Sequence, residues 1–306
     1  MITNIDPEAA LFLADVNRIQ QRISDASSQV SSGKKINVAS DAPDQIDSLL
    51  QLRADEQSNT QVQSNLTLAQ TDAQSADSAL GASILLMDRA VTLATQGATA
   101  TSDATSRASL AGEVESLQEQ MVAYSQAQVQ GRYIFSGDQD GSPSYALDLN
   151  SANGVDQLSN AASTLQIQNP AGGSFPASKT AQEIFDDQNA DGSSAADNVF
   201  AALNTLRTAL LNNDSDAIGA SIGNLQQASD HLNSMEAFYG TVEDRIQDAT
   251  TFGSNYDTQL QTEVSQEQDA DVTAAATELT QANTQLQAAY QARAEMPHTS
   301  LFQFLG

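Results

Sequence analysis

The chain has 306 residues, and its 12 Lys and Arg against 39 Asp and Glu give a formal net charge of −27. Nucleic acid and anionic lipid surfaces are therefore poor partners, because both would repel the protein. The sequence contains no Cys, which excludes disulfides, thiolate metal sites and a thiol nucleophile. We expect no transmembrane segment, because no apolar run approaches the length needed to span a bilayer, and no cleaved signal peptide, because the N-terminus lacks a basic region and an apolar core.

Residues 5–30 carry the first helical pattern. Their apolar positions alternate between spacings of four and three residues, as in a coiled-coil seam: Ile5, Ala9, Phe12, Val16, Ile19, Ile23, Ala26 and Val30. Gly33 then predicts a helix end. Ser40 or Asp41 as an N-cap, followed by Pro43, predicts the start of a second helix.

The second helix should run from about residue 43 to residue 96, and a third helix should follow a turn at 97–102 and stop at Gly131. Residues 131–195 differ in composition and are rich in Gly, Pro, Asn, Asp and Ser. Short β-like runs occur there at 133–136, 145–149 and 164–167. This segment therefore predicts an inserted, loop-rich domain.

Helix returns near residue 195, and residues 225–260 carry the longest apolar stripe of the chain: Leu225, Ala228, Leu232, Met235, Tyr239, Val242, Ile246, Ala249, Tyr256 and Leu260. The last periodic segment, 272–289, alternates large residues with alanine, which allows close helix approach, and Pro297 should end it. Because helical segments enclose the insert on both sides, the chain should fold back on itself. We predict a mainly α fold: a long antiparallel helical bundle or coiled-coil rod built from the N- and C-terminal halves, with an inserted small β-rich or mixed domain.

Three motifs resemble the bacterial flagellin family. The first is SSGKKIN at 31–37, followed by ASDAP at 39–43, and the second is QDADV at 268–272 with ELTQ at 278–281. The third, GRYIFSG at 131–137, is more similar to hook-associated members of the family than to the filament protein. Ala42 departs from the pattern, since the hook-associated members tend to have a second acidic residue there.

The resemblance implies a domain order. Residues 1–40 and 266–306 would form a terminal coiled coil, 41–130 and 196–265 the two halves of a helical core, and 131–195 an insert that faces outward. It also implies a structural, non-enzymatic subunit of the extracellular bacterial flagellum, exported without a cleaved signal peptide. The subunit would be an adaptor at the hook–filament junction; the alternative is a short flagellin that forms the filament itself.

The implied partners are neighbouring copies of the chain, the inner hook–filament junction protein and flagellin, with the flagellar export apparatus and an export chaperone at the C-terminal helix. No cofactor, nucleic acid or membrane is expected. The expected assembly seams are apolar residues of the terminal helices and tail: Ile5, Phe12, Val16, Ile19, Ile23, Val30, Val272, Leu279, Leu286, Leu301, Phe302, Phe304 and Leu305. The resemblance also implies a subunit contact at Arg89, Leu93 and Gln96, for which an ordinary solvated helix face is the alternative.

Catalytic motifs are absent from the sequence, and His231 is expected to be a solvated helix residue. Asp187, Asn189 and Asp191 match the first half of a calcium-binding loop. The twelfth position of that loop is Asn198, where a bidentate Glu is needed, so an Asx-rich turn is the alternative. A signalling coiled coil is a further class, but it would carry a membrane span or a partner-binding hairpin tip in place of this insert.

Overall fold

The computed structural model describes residues 7–99 and 101–295, and within them the chain is mainly helical, as predicted. The helices are α1 (Pro7–Ser32), α2 (Pro43–Ala98), α3 (Ala104–Ser125), α4 (Ala181–Phe185), α5 (Val199–Leu211), α6 (Ser215–Gln268) and α7 (Val272–Glu295). The long helices α1, α2, α6 and α7 correspond to the periodic segments of the sequence. Two of their termini lie at predicted turn residues. Gly33 follows the end of α1 and has a positive φ of 71°, and Pro43 begins α2.

Short strands occupy the segment between α3 and α5. They are β1 (Gln128–Val129), β2 (Arg132–Tyr133), β3 (Tyr145–Leu147), β4 (Val155–Gln157), β5 (Gln166–Gln168) and β6 (Ser174–Pro176). They pair as three antiparallel two-stranded sheets, β1 with β2, β3 with β4 and β5 with β6. Together with α4 these hairpins confirm the predicted small mixed insert.

The chain divides into two compact units. The terminal unit comprises the chain up to Ser58 and from Tyr256 onward, and the central unit comprises Asn59–Asn255. The helices α2 and α6 contribute residues to both units. The five-part division at 40, 130, 195 and 265 stays a prediction about how the family resemblance maps onto this chain.

The core of the central unit lies between the apolar stripes of α2 and α6. Leu66 and Leu80 of α2 are fully buried, and the predicted stripe on α6 is buried at Leu225, Ala228, Leu232, Tyr239, Val242, Ile246 and Ala249. The two helices run antiparallel, because the Asn59 side-chain amide donates to the Gly253 carbonyl at 2.9 Å while a Cβ at Gly81 would lie 3.2 Å from Glu236 Oε1.

Aromatic rings fix the insert to this core. Phe135 lies edge-on to Phe185 at 5.6 Å and to Tyr239 of α6 at 6.2 Å between ring centroids. Phe200 of α5 stacks on Phe185 and contacts Tyr145 of β3. All five rings are buried, so they form one hydrophobic cluster that joins the hairpins, α4, α5 and α6.

The predicted helix end at Gly131 is wrong. The third helix ends at Ser125, and Gly131, with a φ of 80°, follows Gln130, with a φ of 53°, in the two-residue turn between β1 and β2. Both turn residues adopt the left-handed backbone conformation that a two-residue hairpin turn requires. The glycine is therefore used for a β-turn, and the β-like run predicted at 133–136 contributes only Tyr133 to a strand.

The expectation about apolar runs also needs correction. The helix α2 contains an 18-residue window of mean hydropathy 1.2, so by length and composition alone it passes a test for crossing a membrane. A core helix passes the same test. Leu80, Met87 and Leu93 of α2 are fully buried in the core of the central unit, which accounts for the apolar composition of this helix.

Candidate assembly surface

The helices α1 and α7 pack against each other in the terminal unit. Small and branched side chains form their contact, and Val16, Ala26, Ala275 and Ala282 are buried there. Alanine brings the two backbones close together, as the alternation of large residues with alanine in 272–289 indicated. The pair buries only these four hydrophobic residues among the described positions of its two helices, so much of each apolar seam remains accessible.

Polar and aromatic contacts fix the register of the pair. Arg22 donates from Nε to Glu278 Oε1 at 2.6 Å and from Nη1 to Gln285 Oε1 at 2.8 Å. Phe12 lies edge-on to Tyr290 at 6.4 Å between ring centroids. Because residue 12 meets residue 290 while residue 22 meets residue 278, α1 and α7 are antiparallel.

The bend after α1 and the bend before α7 lie at the same end of this pair and are joined by backbone hydrogen bonds. The N–H of Lys35 donates to the Gln268 carbonyl at 2.7 Å, and the N–H of Ala270 donates to the Gly33 carbonyl at 2.9 Å, which makes Lys34 and Asp269 an antiparallel β-bridge. We call residues 33–37 and 268–271 the bend clamp. Two of the motifs that suggested the family, distant in sequence, therefore bind each other.

Side chains complete the bend clamp. Gln268 is buried, accepts from Arg53 Nη2 at 2.7 Å and donates to the Ile36 carbonyl at 3.2 Å. Asp41 accepts from the N–H groups of Val38 and Asn37, and these two bonds lower the pKa of its carboxyl group. Asp41 thus stabilises the bend, whereas the sequence predicted that it or Ser40 would cap α2.

The predicted assembly seams have unequal exposure in the described residues. Val16 is buried, whereas Phe12, Ile19, Ile23 and Val30 of α1 are half-buried. On α7, Leu279 and Leu286 are half-buried and Val272 is 45% exposed. Ile5, Leu301, Phe302, Phe304 and Leu305 lie outside the described residues. Seven of the predicted seam positions in the described helices are therefore only partly covered within one chain.

Other exposed apolar residues of the terminal helices were missed. Leu11 is 68% exposed, Leu13 is 57% exposed and Tyr290 is 50% exposed. The four-and-three spacing skips them, because it selects a single stripe of each helix. The signal that could have found them is the presence of large apolar residues at positions where the same spacing predicts a polar face.

The implied subunit contact at Arg89, Leu93 and Gln96 is only partly available. Leu93 is fully buried in the core of the central unit, so the expectation that it contacts a neighbouring subunit is wrong. Arg89 donates to Glu113 of α3 at 2.8 Å, although both side chains remain 51% exposed. Gln96 is exposed. The three residues do not form one outward-facing patch, because the Leu93 side chain is buried in the core of the central unit.

The calcium candidate is a hydrogen-bonded loop. Asp191 Oδ1 accepts from both the N–H and the hydroxyl of Ser193, and the Asn189 amide donates to Ser193 Oγ and to the Ser194 carbonyl. Asp187 Oδ1 accepts from the N–H of Gln188. These contacts form an Asx-rich turn closed by the Gln188–Ser194 bridge. Residues 7–99 and 101–295 contain no group of three His, Asp or Glu side chains arranged to hold a metal ion.

His231 is not the solvated residue that the sequence suggested. Its side chain is only 13% exposed, with Nε2 at 2.9 Å from the Glu183 carbonyl and Nδ1 at 3.4 Å from Asp197 Oδ2. The insert covers this face of α6, which periodicity alone could not reveal. His231 therefore joins α6 to the end of the insert and contributes to its packing.

Comparison with known proteins places these features in a family. The profile of the bacterial flagellin N-terminal helical region matches residues 5–140, and that of the bacterial flagellin C-terminal helical region matches residues 222–305. No protein with curated function matches the sequence significantly. The two profiles include the two bends that meet in the clamp and the helix pair α1 and α7.

Solved structures share the fold at low sequence identity. A flagellar hook-associated protein from Vibrio parahaemolyticus is 18% identical, with a TM-score of 0.63 over 75% of this chain and 100% of that chain. FlgL from Xanthomonas campestris is 16% identical, with a TM-score of 0.58 over 68% of this chain and 98% of that chain. FlgL from Bacillus cereus is 16% identical, with a TM-score of 0.54 over 72% and 100%. With both helical regions matched and paired in the fold, the chain belongs to the bacterial flagellin family.

Proposed function

We propose that this protein is a structural subunit of the bacterial flagellum and acts as an adaptor at the hook–filament junction. The observation that carries the proposal is the incompletely covered α1 and α7 pair, held at one end by the bend clamp, in a chain of the flagellin family. The hook-associated protein and the FlgL proteins that resemble it in fold support the junction position over the bulk filament. We further propose that the protein acts outside the cell, without catalysis and without a cofactor.

The partly covered seams suggest how the subunit would assemble. Burial of apolar surface contributes about 25 cal/mol per Å². The assembly would therefore be stabilised when the helices of neighbouring subunits cover the half-buried Phe12, Ile19 and Ile23. The proposed partners are other copies of this chain, the inner junction protein on one side and flagellin on the other. Export would use the flagellar export apparatus, with an export chaperone at the C-terminal helix.

The experiment is complementation of a flagellated strain that lacks its own copy of the protein. Two variants test the seams: the paired change Ile19→Asp and Ile23→Asp, and deletion of residues 290–306. The matched control is Ser24→Asp, which adds a charge at an exposed position beside Ile23. We expect the control to swim, whereas both seam variants should secrete filament protein into the medium and grow no filament.

The purified variants should keep the helical signal and the cooperative unfolding of the central unit, because its core does not include α1 or α7. Normal filaments with either seam variant would refute the proposed role of the seams. Labelled protein at a single point between hook and filament would support the adaptor, whereas label along the whole filament would identify a short flagellin.

A further inference from the structure

The tip of the β5–β6 hairpin rests on the central helices at Gly253 of α6. A Cβ at Gly253 would lie 3.3 Å from Cγ of Pro170, in the hairpin tip, and 3.2 Å from Cγ of Gln63 on α2. Gly253 is buried. The other glycines of α6 have no described atom within 4 Å of the same position: Gly219, Gly223 and Gly240. The missing side chain of Gly253 therefore leaves a notch between the two helices, and this notch admits the Pro170 ring.

The hairpin lies along α6. The Phe175 ring of β6 is 5.9 Å from the Arg245 guanidinium, and Pro170 lies at Gly253. Along α6 these two contacts are eight residues apart, which is a rise of about 12 Å. In the hairpin, Pro170 comes three residues after Ile167, the cross-strand partner of Phe175, which is about 10 Å of extended backbone. The two lengths agree, so the hairpin runs beside this part of α6 with its tip at the notch.

Hydrogen bonds within the tip close its turn. The N–H of Gly172 donates to the Asn169 carbonyl at 2.9 Å, and the N–H of Ala171 donates to Asn169 Oδ1 at 3.0 Å. Proline suits the second position of such a turn. Gly172, with a φ of 104°, adopts the left-handed conformation that glycine tolerates. The turn therefore holds the Pro170 ring in a fixed position against the notch.

Asn59 of α2 joins the two helices at the same level. Its side-chain amide donates to the Gly253 carbonyl at 2.9 Å, and its Oδ1 lies 3.4 Å from the point that the Pro170 ring approaches. The Asn59 side chain is buried, and Oδ1 has no hydrogen-bond partner among the described residues. A buried acceptor without a donor costs free energy. The apolar contacts of the hairpin are therefore made against a polar cost.

We propose that the β5–β6 hairpin is a strap that closes over α2 and α6 at the Gly253 notch and opens at lower free energy than the core beneath it. A two-stranded hairpin is marginally stable by itself, and each strand of this one buries a single residue, Ile167 and Phe175. The buried Oδ1 of Asn59 opposes closure. The closed strap restrains both helices at this level. This inference goes beyond the proposed function, because it gives the insert a role within the monomer.

Amide exchange of the purified monomer, followed by mass spectrometry, tests the strap directly. Pro170→Gly removes the ring from the notch, and the matched control is Ala171→Gly, at the exposed neighbouring position of the same turn. We expect exchange at 59–63 and 249–255 to be about tenfold faster in Pro170→Gly than in the control, because the contact of a half-buried ring is lost. Exchange at 225–235 should be the same in both. Equal exchange at all three segments would overturn the proposal.

Substitution of the glycine itself provides a second readout that leaves the turn intact. Inside a helix, Ala in place of Gly stabilises the fold, so Gly240→Ala, at an exposed position with free space around its Cβ, should raise the melting temperature by about 1–4 °C. At Gly253 the added methyl group would lie 3.2–3.4 Å from Gln63, Pro170 and Asn59. We therefore expect Gly253→Ala to give no such rise and to speed amide exchange in the hairpin. A rise equal to that of Gly240→Ala, with unchanged exchange in the hairpin, would contradict the notch.

Discussion

Replacing Leu93 by Ala distinguishes between two roles of this residue, in the core of the central unit and in a contact with a neighbouring subunit. Leu93 is fully buried in the cluster that α2 forms in the central unit. Truncating a fully buried Leu removes its packing contacts and leaves a cavity, which costs about 2–5 kcal/mol of the free energy of unfolding. For a domain of this size, each kcal/mol lowers the melting temperature by roughly 2–4 °C, so a loss of about 4–20 °C is expected.

The matched control is Leu85→Ala on the same helix, where the side chain is 68% exposed. Its effect on the free energy of unfolding should stay within about 0.5 kcal/mol, because it leaves no cavity. The assay is thermal and urea unfolding of the purified monomer, followed by circular dichroism. An unchanged melting temperature in Leu93→Ala, combined with failure to assemble, would show that Leu93 contacts a neighbouring subunit and would refute its role in the core.

Three further predictions test the bend clamp, a buried tyrosine and the loop near Asp191. Gln268→Ala should speed amide exchange in the bend clamp, since it removes two hydrogen bonds worth about 1–3 kcal/mol together. The control is Gln266→Ala, which replaces an exposed side chain and should leave amide exchange unchanged. Equal exchange in the two variants would contradict the role of Gln268. Burial raises the pKa of Tyr239, so the folded protein keeps this hydroxyl protonated while the unfolded chain ionises near pH 10. Stability should be fully present below about pH 10 and fall as the pH rises further, and Tyr239→Phe should reduce that fall; an unchanged slope of melting temperature against pH would refute it. Millimolar calcium should leave the melting temperature where magnesium at equal ionic strength leaves it, because Asp191 is already bonded to Ser193; a rise with calcium alone that is lost in Asp187→Ala would establish a site.

The helical architecture could be predicted because one-sided burial imposes a period of 3.6 residues on a helix. The stripe from Leu225 to Ala249 appears as a buried line on α6, with Met235 alone only half-buried among its members up to Ala249. The start of α2 at Pro43 was equally legible, because proline suits a first helical turn. These features depend on residues close together in sequence.

Features that depend on distant residues were not predictable in the same way. His231 is covered because α4 and Asp197 lie against that face of α6, and no local pattern around His231 indicates this. Gly131 is equally compatible with a helix end and with a hairpin turn until the pairing of Gln128 with Tyr133 is known. Leu93 was misassigned because a resemblance gives a position in a family but does not say which face of α2 is buried here.

The bend clamp holds only one end of the α1 and α7 helix pair, and this arrangement has a consequence for assembly. At the clamp, the α1 and α7 helices are joined through the backbone at Lys35 and Gln268. Ala26 of α1 and Ala275 of α7, the buried hydrophobic residues of the two helices that are nearest this end in sequence, are each less than 5% exposed. Towards the other end, the Phe12 and Tyr290 rings lie edge-on to each other at 6.4 Å between centroids, and Tyr290 is 50% exposed. The ends of packed helices open at lower free energy than their middles, so we expect the end at Phe12 and Tyr290 to be the one that can exchange one apolar partner for another while the clamp keeps the two helices in register.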